Sequence, residues 1–172
     1  MKIKVRSEKP ADYDAIGQIN DLAFTQENEG RLVEELRKNP AFIPELSLVA
    51  FMEDEPVGHI LFFPIVIDNS GKLVDTLSLA PMAVLPEFQN MGIGSLLIEE
   101  GLKQARKRNY TSVLVLGHEH YYPRFGFLPA SKFGIQCPFK SPDESFMALE
   151  LFPGKLSGVS GIAIYPSEFN EV

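Results

Sequence analysis

LSLAPMAVLPEFQNMGIGSLLIEEGLKQARKR, residues 77–108, holds three elements in a row. Leu77 to Val84 is an apolar, strand-like run. Leu85 to Met91 is a loop that carries Pro86 and Gln89. From the Gly92-Ile93-Gly94 turn a helix runs to about Arg108. Ile93, Leu96, Leu97, Gly101 and Ala105 fall on one face of that helix. Glu99 and Glu100 lie toward its start, and Lys103, Arg106, Lys107 and Arg108 toward its end, which complements the helix dipole. Glycines at a helix N-terminus let a ligand approach the backbone closely. The first amides of the helix have no partner within it and point outward at its positive end. Such a turn is a site for a phosphate or pyrophosphate.

Upstream, the chain reads as a meander. Ile3 and Val5 alternate with Lys2, Lys4 and Arg6, an edge-strand pattern. Pro10, Asp12 and Asp14 suit the first turn of a helix, which continues through Ile16, Ile19, Leu22 and Ala23. After a polar break, Thr25 to Gly30, a second short helix places Leu32, Val33 and Leu36 on one face and ends at Asn39-Pro40. Leu46 to Met52, Val57 to Ile67 (interrupted at Pro64) and Leu73 to Val84 read as antiparallel strands. Glu53 to Pro56 and Asp68-Asn69-Ser70-Gly71 supply the turns.

Downstream, Ser112 to Leu116 (SVLVL) follows the helix directly. Strand, helix and strand make a βαβ unit, whose strands are expected to be parallel with a right-handed crossover. GHEHYYPRFGFLPA then reads as a short helical turn and a further strand. The tail, 131–172, with FMALEL and Gly-Ile-Ala-Ile-Tyr, reads as additional strands.

At 172 residues the chain is expected to form a single domain, 1–172, with a core over about 1–130. The net charge of −7 argues against a nucleic-acid partner and permits a cationic one. No apolar run approaches the ~20 residues that span a membrane, so no membrane partner is expected. MKIKVRSEKP lacks the apolar core of a secretory signal. The single cysteine, Cys137, cannot form an internal disulfide. Both point to the cytoplasm. Asn109-Tyr110-Thr111 matches a glycosylation sequon, read as chance in such a chain.

The ligand of the glycine turn is narrowed by what the turn lacks. A P-loop requires a Lys after its last glycine, and Gly94 is followed by Ser95-Leu96-Leu97. A dinucleotide fingerprint requires Gly or Ala at Leu97 and a strand leading almost directly into the first glycine. Only Glu119, at about the distance of a ribose-binding acid, favours that reading. What remains is Gln-x-x-Gly-x-Gly, residues 89–94, after Met82-Ala83-Val84-Leu85-Pro86-Glu87, with Tyr122-Pro-Arg-Phe-Gly126-Phe127 downstream. This resembles the acyl-CoA motif and the later Tyr-x-x-x-Gly-Phe signature of the GNAT superfamily of acetyl-CoA-dependent N-acetyltransferases. The order of elements over about 1–130 is also that of the family. The tail is similar to that of small bacterial predicted acetyltransferases.

The resemblance implies an α+β (α/β/α layered) fold, with a mixed, mostly antiparallel sheet and a splayed parallel strand pair. It implies acetyl-CoA as cosubstrate, without a metal, and direct transfer to a primary amine of a small molecule, peptide or protein. Met82, Ala83 and Val84 are then expected to bind pantetheine, and an amide of Ala83 or Val84 to meet the oxyanion. The amides of Gln89, Asn90, Met91, Gly92, Ile93, Gly94 and Ser95 are expected to cradle the pyrophosphate. Pro81 suits either interrupted pairing beside them or an edge position. Tyr122 matches the family's general acid; its spacing to Gly126 selects it over Tyr121. Candidates for the base are Glu27, Glu29, His118 and His120, with Glu27 and His118 preferred. The acids also have a plain structural reading as the solvated start of a helix, and a lone histidine one as a structural residue. His118-x-His120 lacks a third metal ligand at a sensible spacing. Cys137 has no paired motif for an acyl-enzyme.

Three functions compete on these residues: the acetyltransferase, a CoA-binding sensor on the same fold without turnover, and a nucleotide-dependent oxidoreductase. The final strand, Val159–Tyr165, offers an edge at which a second copy could pair to give a homodimer.

Overall fold

A computed structural model describes residues 2–171. Its strands are β1 (Ile3–Ser7), β2 (Ser47–Met52), β3 (Glu55–Asn69), β4 (Lys72–Val84), β5 (Ser112–Leu116), β6 (Leu128–Pro129), β7 (Ile135–Gln136), β8 (Phe146–Glu150) and β9 (Gly161–Ile164). The helices are α1 (Tyr13–Phe24), α2 (Asn28–Arg37) and α3 (Ile93–Lys107). The hydrogen-bonded order is β1-β2-β3-β4-β5-β8-β6, with β9 paired to β3 and β7. The fold is α+β on a mixed sheet. No helix among the described residues is long and apolar enough to cross a membrane.

The chain forms two compact units. The first comprises 1–63, 80–104 and 167–172, the second 64–79 and 105–166. In the first, β1, β2 and the start of β3 pair antiparallel, from Ile3↔Met52 and Ser47↔Leu61. Ile16, Ile19, Leu32, Val33 and Leu36 are all buried, as helical spacing predicts. Leu22 is not; it is 56% exposed. It lies about 120° round the helix from Ile16, and the buried stripe continues through Asn20 instead. Pro10 does not open α1 itself. Pro10–Asp12 is a separate 3-10 turn, held by Asp12 Oδ2, which accepts the Lys9 amide (2.8 Å) and Arg6 Nη1 (2.7 Å).

Helix α3 buries Ile93, Leu97, Ile98 and Leu102 in this unit, each worth roughly 1.5–3 kcal/mol. Two glycines set its approach. A Cβ on Gly58 of β3 would stand 3.1 Å from both Ile93 and Leu97, and one on Gly101 would stand 2.0 Å from the ring of Phe62. The last turn of the chain returns to the same unit: Asn39 Nδ2 donates to Glu168 Oε2 (3.0 Å), and Phe169 meets Phe63 edge-on.

In the second unit β4 and β5 are parallel, with Leu77↔Val113 and Ser78↔Leu114 in register. This is the βαβ unit expected from sequence. Val113, Leu114 and Val115 are at most 1% exposed, the continuous apolar run of a strand covered on both faces. β8 lies antiparallel on the other side of β5, from Ser112↔Glu150 to Leu116↔Phe146. The link from α3 ends in a left-handed Asn109 (φ 63°), with the Tyr110 amide donating to Ala105 O and the Asn109 amide to Arg106 O. That is a Schellman stop, and it gives the asparagine of the sequon a backbone role. Arg106 of the basic cluster donates from Nε to Leu151 O (3.1 Å).

Two expectations are corrected here. β3 is not interrupted at Pro64 but runs through it. Its neighbouring partners end at Leu61 and resume at Val66, so the missing N–H falls in a gap between ladders. The short helical turn expected before β6 is present as a four-residue 3-10 turn, Tyr122–Phe125, cut short by a left-handed Gly126. β9 offers no open edge, because it lies antiparallel to β3 (Val66↔Ile164) and parallel to β7 (Ile135↔Gly161). Its apolar alternation serves pairing within the chain, which removes the edge that a homodimer was expected to use.

Candidate functional site

In the first unit β4 ends at Val84 and the chain turns through Pro86–Phe88, a 3-10 turn, into the glycine loop. The Leu85 amide donates to Val57 O (2.9 Å), which fixes the exit from β4. Gln89 is extended (φ −71°, ψ 156°). Asn90 (φ 64°) and Gly92 (φ 84°) are both left-handed, a conformation costly for residues with a Cβ and least so for Gly and Asn. The Leu96 amide donates to Gly92 O (3.1 Å), so the helical ladder begins there. Amides ahead of that point project from the helix N-terminus. Ile93 is buried beneath the loop, and Met91 is 43% exposed above it.

The Gln89 side chain has a role that its place in the motif did not reveal. Its Nε2 donates to Val84 O (3.0 Å). The glutamine braces the loop against the last carbonyl of β4, so the strand end and the anion turn are tied to each other. Met82 is half-buried, while Ala83 and Val84 are 4% and 9% exposed. The register between β4 and β5 ends at Ser78↔Leu114 among the described residues, and β4 continues to Val84. Pro81 lies in that continuation.

The break between α1 and α2 gathers acids. Glu27 precedes α2 and is exposed, with Oε2 3.4 Å from Arg31. Glu29 is only 8% exposed, and Gln26 Nε2 donates to both its oxygens (2.9 and 3.1 Å). Gln26 is a partner the sequence did not single out. Burial raises the Asp21 carboxyl above its ordinary range, and Glu27 and Glu29 add to that, opposed by Arg31.

Beneath these helices lies a buried polar chain. Arg37 donates from Nε to Glu8 Oε2 (2.7 Å) and from Nη2 to Glu8 Oε1 (3.1 Å), and its guanidinium sits 3.8 Å over the Tyr13 ring. Ser47 Oγ donates to Glu8 Oε1. Its single hydrogen is thereby used, so His59 Nε2 donates to Ser47 Oγ (3.0 Å), and His59 Nδ1 accepts from Asn20 Nδ2 (3.3 Å). His59 is therefore neutral. Its pKa falls from 6.5 to about 3, chiefly through burial and then through Arg37.

In the second unit the Tyr-x-x-x-Gly-Phe signature forms one turn. Gly126 (φ 99°) closes it, its amide donating to Pro123 O. Tyr122 is 7% exposed. Its ring meets Tyr121 (5.3 Å between centroids, 81°) and Phe127 (5.7 Å, 73°) edge-on. Burial, with Tyr121 adding, raises its phenol well above the usual range. The hydroxyl makes no hydrogen bond among the described residues. His118 is exposed, and its carbonyl accepts the amides of Tyr121 (3.1 Å) and Tyr122 (3.4 Å). The His120 side chain is 93% exposed, 3.4 Å from Glu119. Cys137, a free thiol, lines a cavity of about 390 Å³ with Ser131, Gln136, Phe139 and Asp143. Tyr165 shares a side-chain hydrogen bond with Ser78, at the end of the β4–β5 register. Met82 to Ser95 and Glu27 thus belong to the first unit, and His118 and Tyr122 to the second.

Known proteins carry the same pattern. The family model of the acetyltransferase (GNAT) family matches residues 13–127. The chain belongs to that family. It is 39% identical over 137 residues to the uncharacterised N-acetyltransferase YjhQ of Escherichia coli K12, covering 78% of this chain and 75% of the relative. To YhbS of the same strain it is 30% identical over 167 residues, covering 96% and 98%. The crystal structure of E. coli YhbS in complex with CoA superposes with a TM-score of 0.91 at 28% identity, over 99% of this chain and 93% of that one. A GNAT family acetyltransferase from Brucella melitensis in complex with acetyl-CoA gives 0.78 at 32% identity, over 98% of both.

Proposed function

We propose that this protein moves the acetyl group of acetyl-CoA directly to a primary amine. One observation carries the reading: the braced turn in which left-handed Asn90 and Gly92 deliver backbone amides to the start of α3, with Gln89 tied to the end of β4. A pyrophosphate at that turn and pantetheine along Met82–Val84 fit the two relatives described in complex with CoA and acetyl-CoA.

The chemistry asks for a neutral amine, a polarised thioester carbonyl and a proton for the leaving thiolate. The amine nitrogen attacks the carbonyl carbon. The C–S bond then breaks, and the thiolate takes a proton while the ammonium loses one. An amide of Ala83 or Val84 supplies the oxyanion donor. Tyr122 supplies the proton. Its phenol stays protonated across the physiological range, and burial destabilises a thiolate as it does a phenolate. Glu27 and His118 are both exposed, so either can pass the amine's proton to water. The acids Asp21, Glu27 and Glu29 favour an acceptor that arrives as a cation.

The test is titration calorimetry with acetyl-CoA, followed by release of the CoA thiol over polyamines, aminoglycosides and peptide N-termini. Saturable binding with amine-dependent thiol release is expected. Binding with no release over the whole panel would assign the chain to the CoA-sensor reading. Absence of binding at millimolar acetyl-CoA would defeat both.

A further inference from the structure

We propose that Gly117, which lies outside both recognised motifs, is a positioning residue that sets the Tyr122 phenol for proton transfer. This rests on the reading of Tyr122 as the acid. Gly117 follows the last residue of β5. A Cβ built on it would stand 2.5 Å from Tyr122 Cε2, 3.2 Å from Cδ2 and 3.5 Å from Cζ. The ring therefore lies flush on the backbone at the strand end, in space that any other residue would fill. The contact falls on the Cδ2–Cε2 flank of the ring, next to the carbon that bears the hydroxyl.

Neither side of this contact can give way cheaply. The Gly117 amide donates to Ser145 O (2.9 Å), and Leu116 is in register with Phe146 of β8, so the strand end is fixed. The ring is fixed as well. Tyr121 and Phe127 pack edge-on against it, and the Tyr122 amide is held by His118 O. Phe127 is itself 1% exposed. A methyl group at position 117 must therefore turn the phenol out of its place. Gly117 has an ordinary backbone conformation, since it is absent from the left-handed glycines. Its requirement is the absence of a side chain, not a special φ.

The experiment compares wild type, Gly117→Ala, Tyr122→Phe and the double variant. Turnover uses acetyl-CoA and the panel amine with the highest rate of thiol release, and calorimetry gives the acetyl-CoA affinity. Gly117→Ala is expected to lower kcat at least about tenfold, the range of a lost acid, with acetyl-CoA affinity changed less than about twofold. In the Tyr122→Phe background the same substitution is expected to change kcat no further, because the group it misplaces is gone. A merely structural role would lower both backgrounds alike, and that result overturns the proposal. Alkaline difference absorbance of the tyrosines supplies a readout independent of turnover. Gly117→Ala is expected to bring one more tyrosine into the ordinary range near ~10, and to bring none in the Tyr122→Phe background. An unchanged titration overturns the proposal. Wild-type turnover in Tyr122→Phe refutes the acid reading, while the titration still decides whether Gly117 sets the ring. Should Gly117→Ala fail to fold, Gly117→Ala with Phe127→Leu gives the ring room to move. That pair is expected to fold with the same loss of kcat, and wild-type turnover in it counts against the proposal.

Discussion

Replacing His59 with Gln tests the buried polar chain under the helices, and its size follows from the structure. His59 is fully buried, donates to Ser47 and accepts from Asn20. A second ring proton would face the Asn20 amide donor, and Asn20 Oδ1, which has no partner among the described residues, points elsewhere. Hence the folded chain holds this imidazole neutral to about pH 3, against 6.5 ordinarily. The sign follows. Below pH 6.5 the unfolded chain binds a proton that the folded chain refuses, so stability is complete above 6.5 and falls as pH falls towards 3. One unit of pH is worth ~1.36 kcal/mol per proton, so pH 6.5 to 5 costs roughly 2 kcal/mol. That is a sizeable part of the ~5–15 kcal/mol that holds a domain together. His59→Gln cannot titrate. It is expected to be less stable than wild type at pH 7, through poorer hydrogen bonding, with a gap that shrinks by about 2 kcal/mol by pH 5. Urea unfolding at pH 7, 6 and 5 measures this as convergence of the two midpoints. A gap that stays constant with pH would refute the neutral, buried assignment.

Other consequences are direct. Arg37→Ala leaves Glu8 buried with Ser47 as its remaining side-chain partner among the described residues, and urea unfolding is expected to show a loss of about 3–5 kcal/mol. Gly92→Ala meets no neighbouring atom but must adopt φ 84°. It is expected to cost about 1–2 kcal/mol in loop geometry, read by calorimetry as a roughly tenfold weaker affinity for acetyl-CoA; unchanged affinity would remove this turn from the binding site. Tyr122→Phe is expected to lower kcat at least about tenfold while leaving acetyl-CoA affinity nearly unchanged, and wild-type turnover would end the acid assignment.

Much of the fold was legible because its signals are local. The run Ser112–Leu116 right after an amphipathic helix specifies a parallel crossover, and Ser70-Gly71 specifies a tight turn between β3 and β4. The errors came where a local signal meets a tertiary partner. Pro64 reads as a break, yet it falls between two ladders. Leu22 reads as core, yet the polar Asn20 takes the buried stripe, because His59 from β3 offers it a hydrogen bond. β9 reads as a free edge, yet β3 and β7 cover both its sides. At the site, the glycines and Tyr122 were visible as spaced residue types. The brace from Gln89 to Val84, the hold of Gln26 on Glu29 and the contact of Gly117 with Tyr122 were not, since each depends on a side chain's direction rather than on spacing. For Gly117 one signal was present: a glycine directly after a buried strand and shortly before the tyrosine.

The most direct test of the central claim is the release of CoA thiol from acetyl-CoA by the wild-type protein, followed with and without an amine panel at fixed enzyme concentration. Saturable dependence on acetyl-CoA and stoichiometric acetylation of at least one amine are expected. Tight binding of acetyl-CoA with no thiol released above the uncatalysed rate, for any amine tried, would contradict that claim.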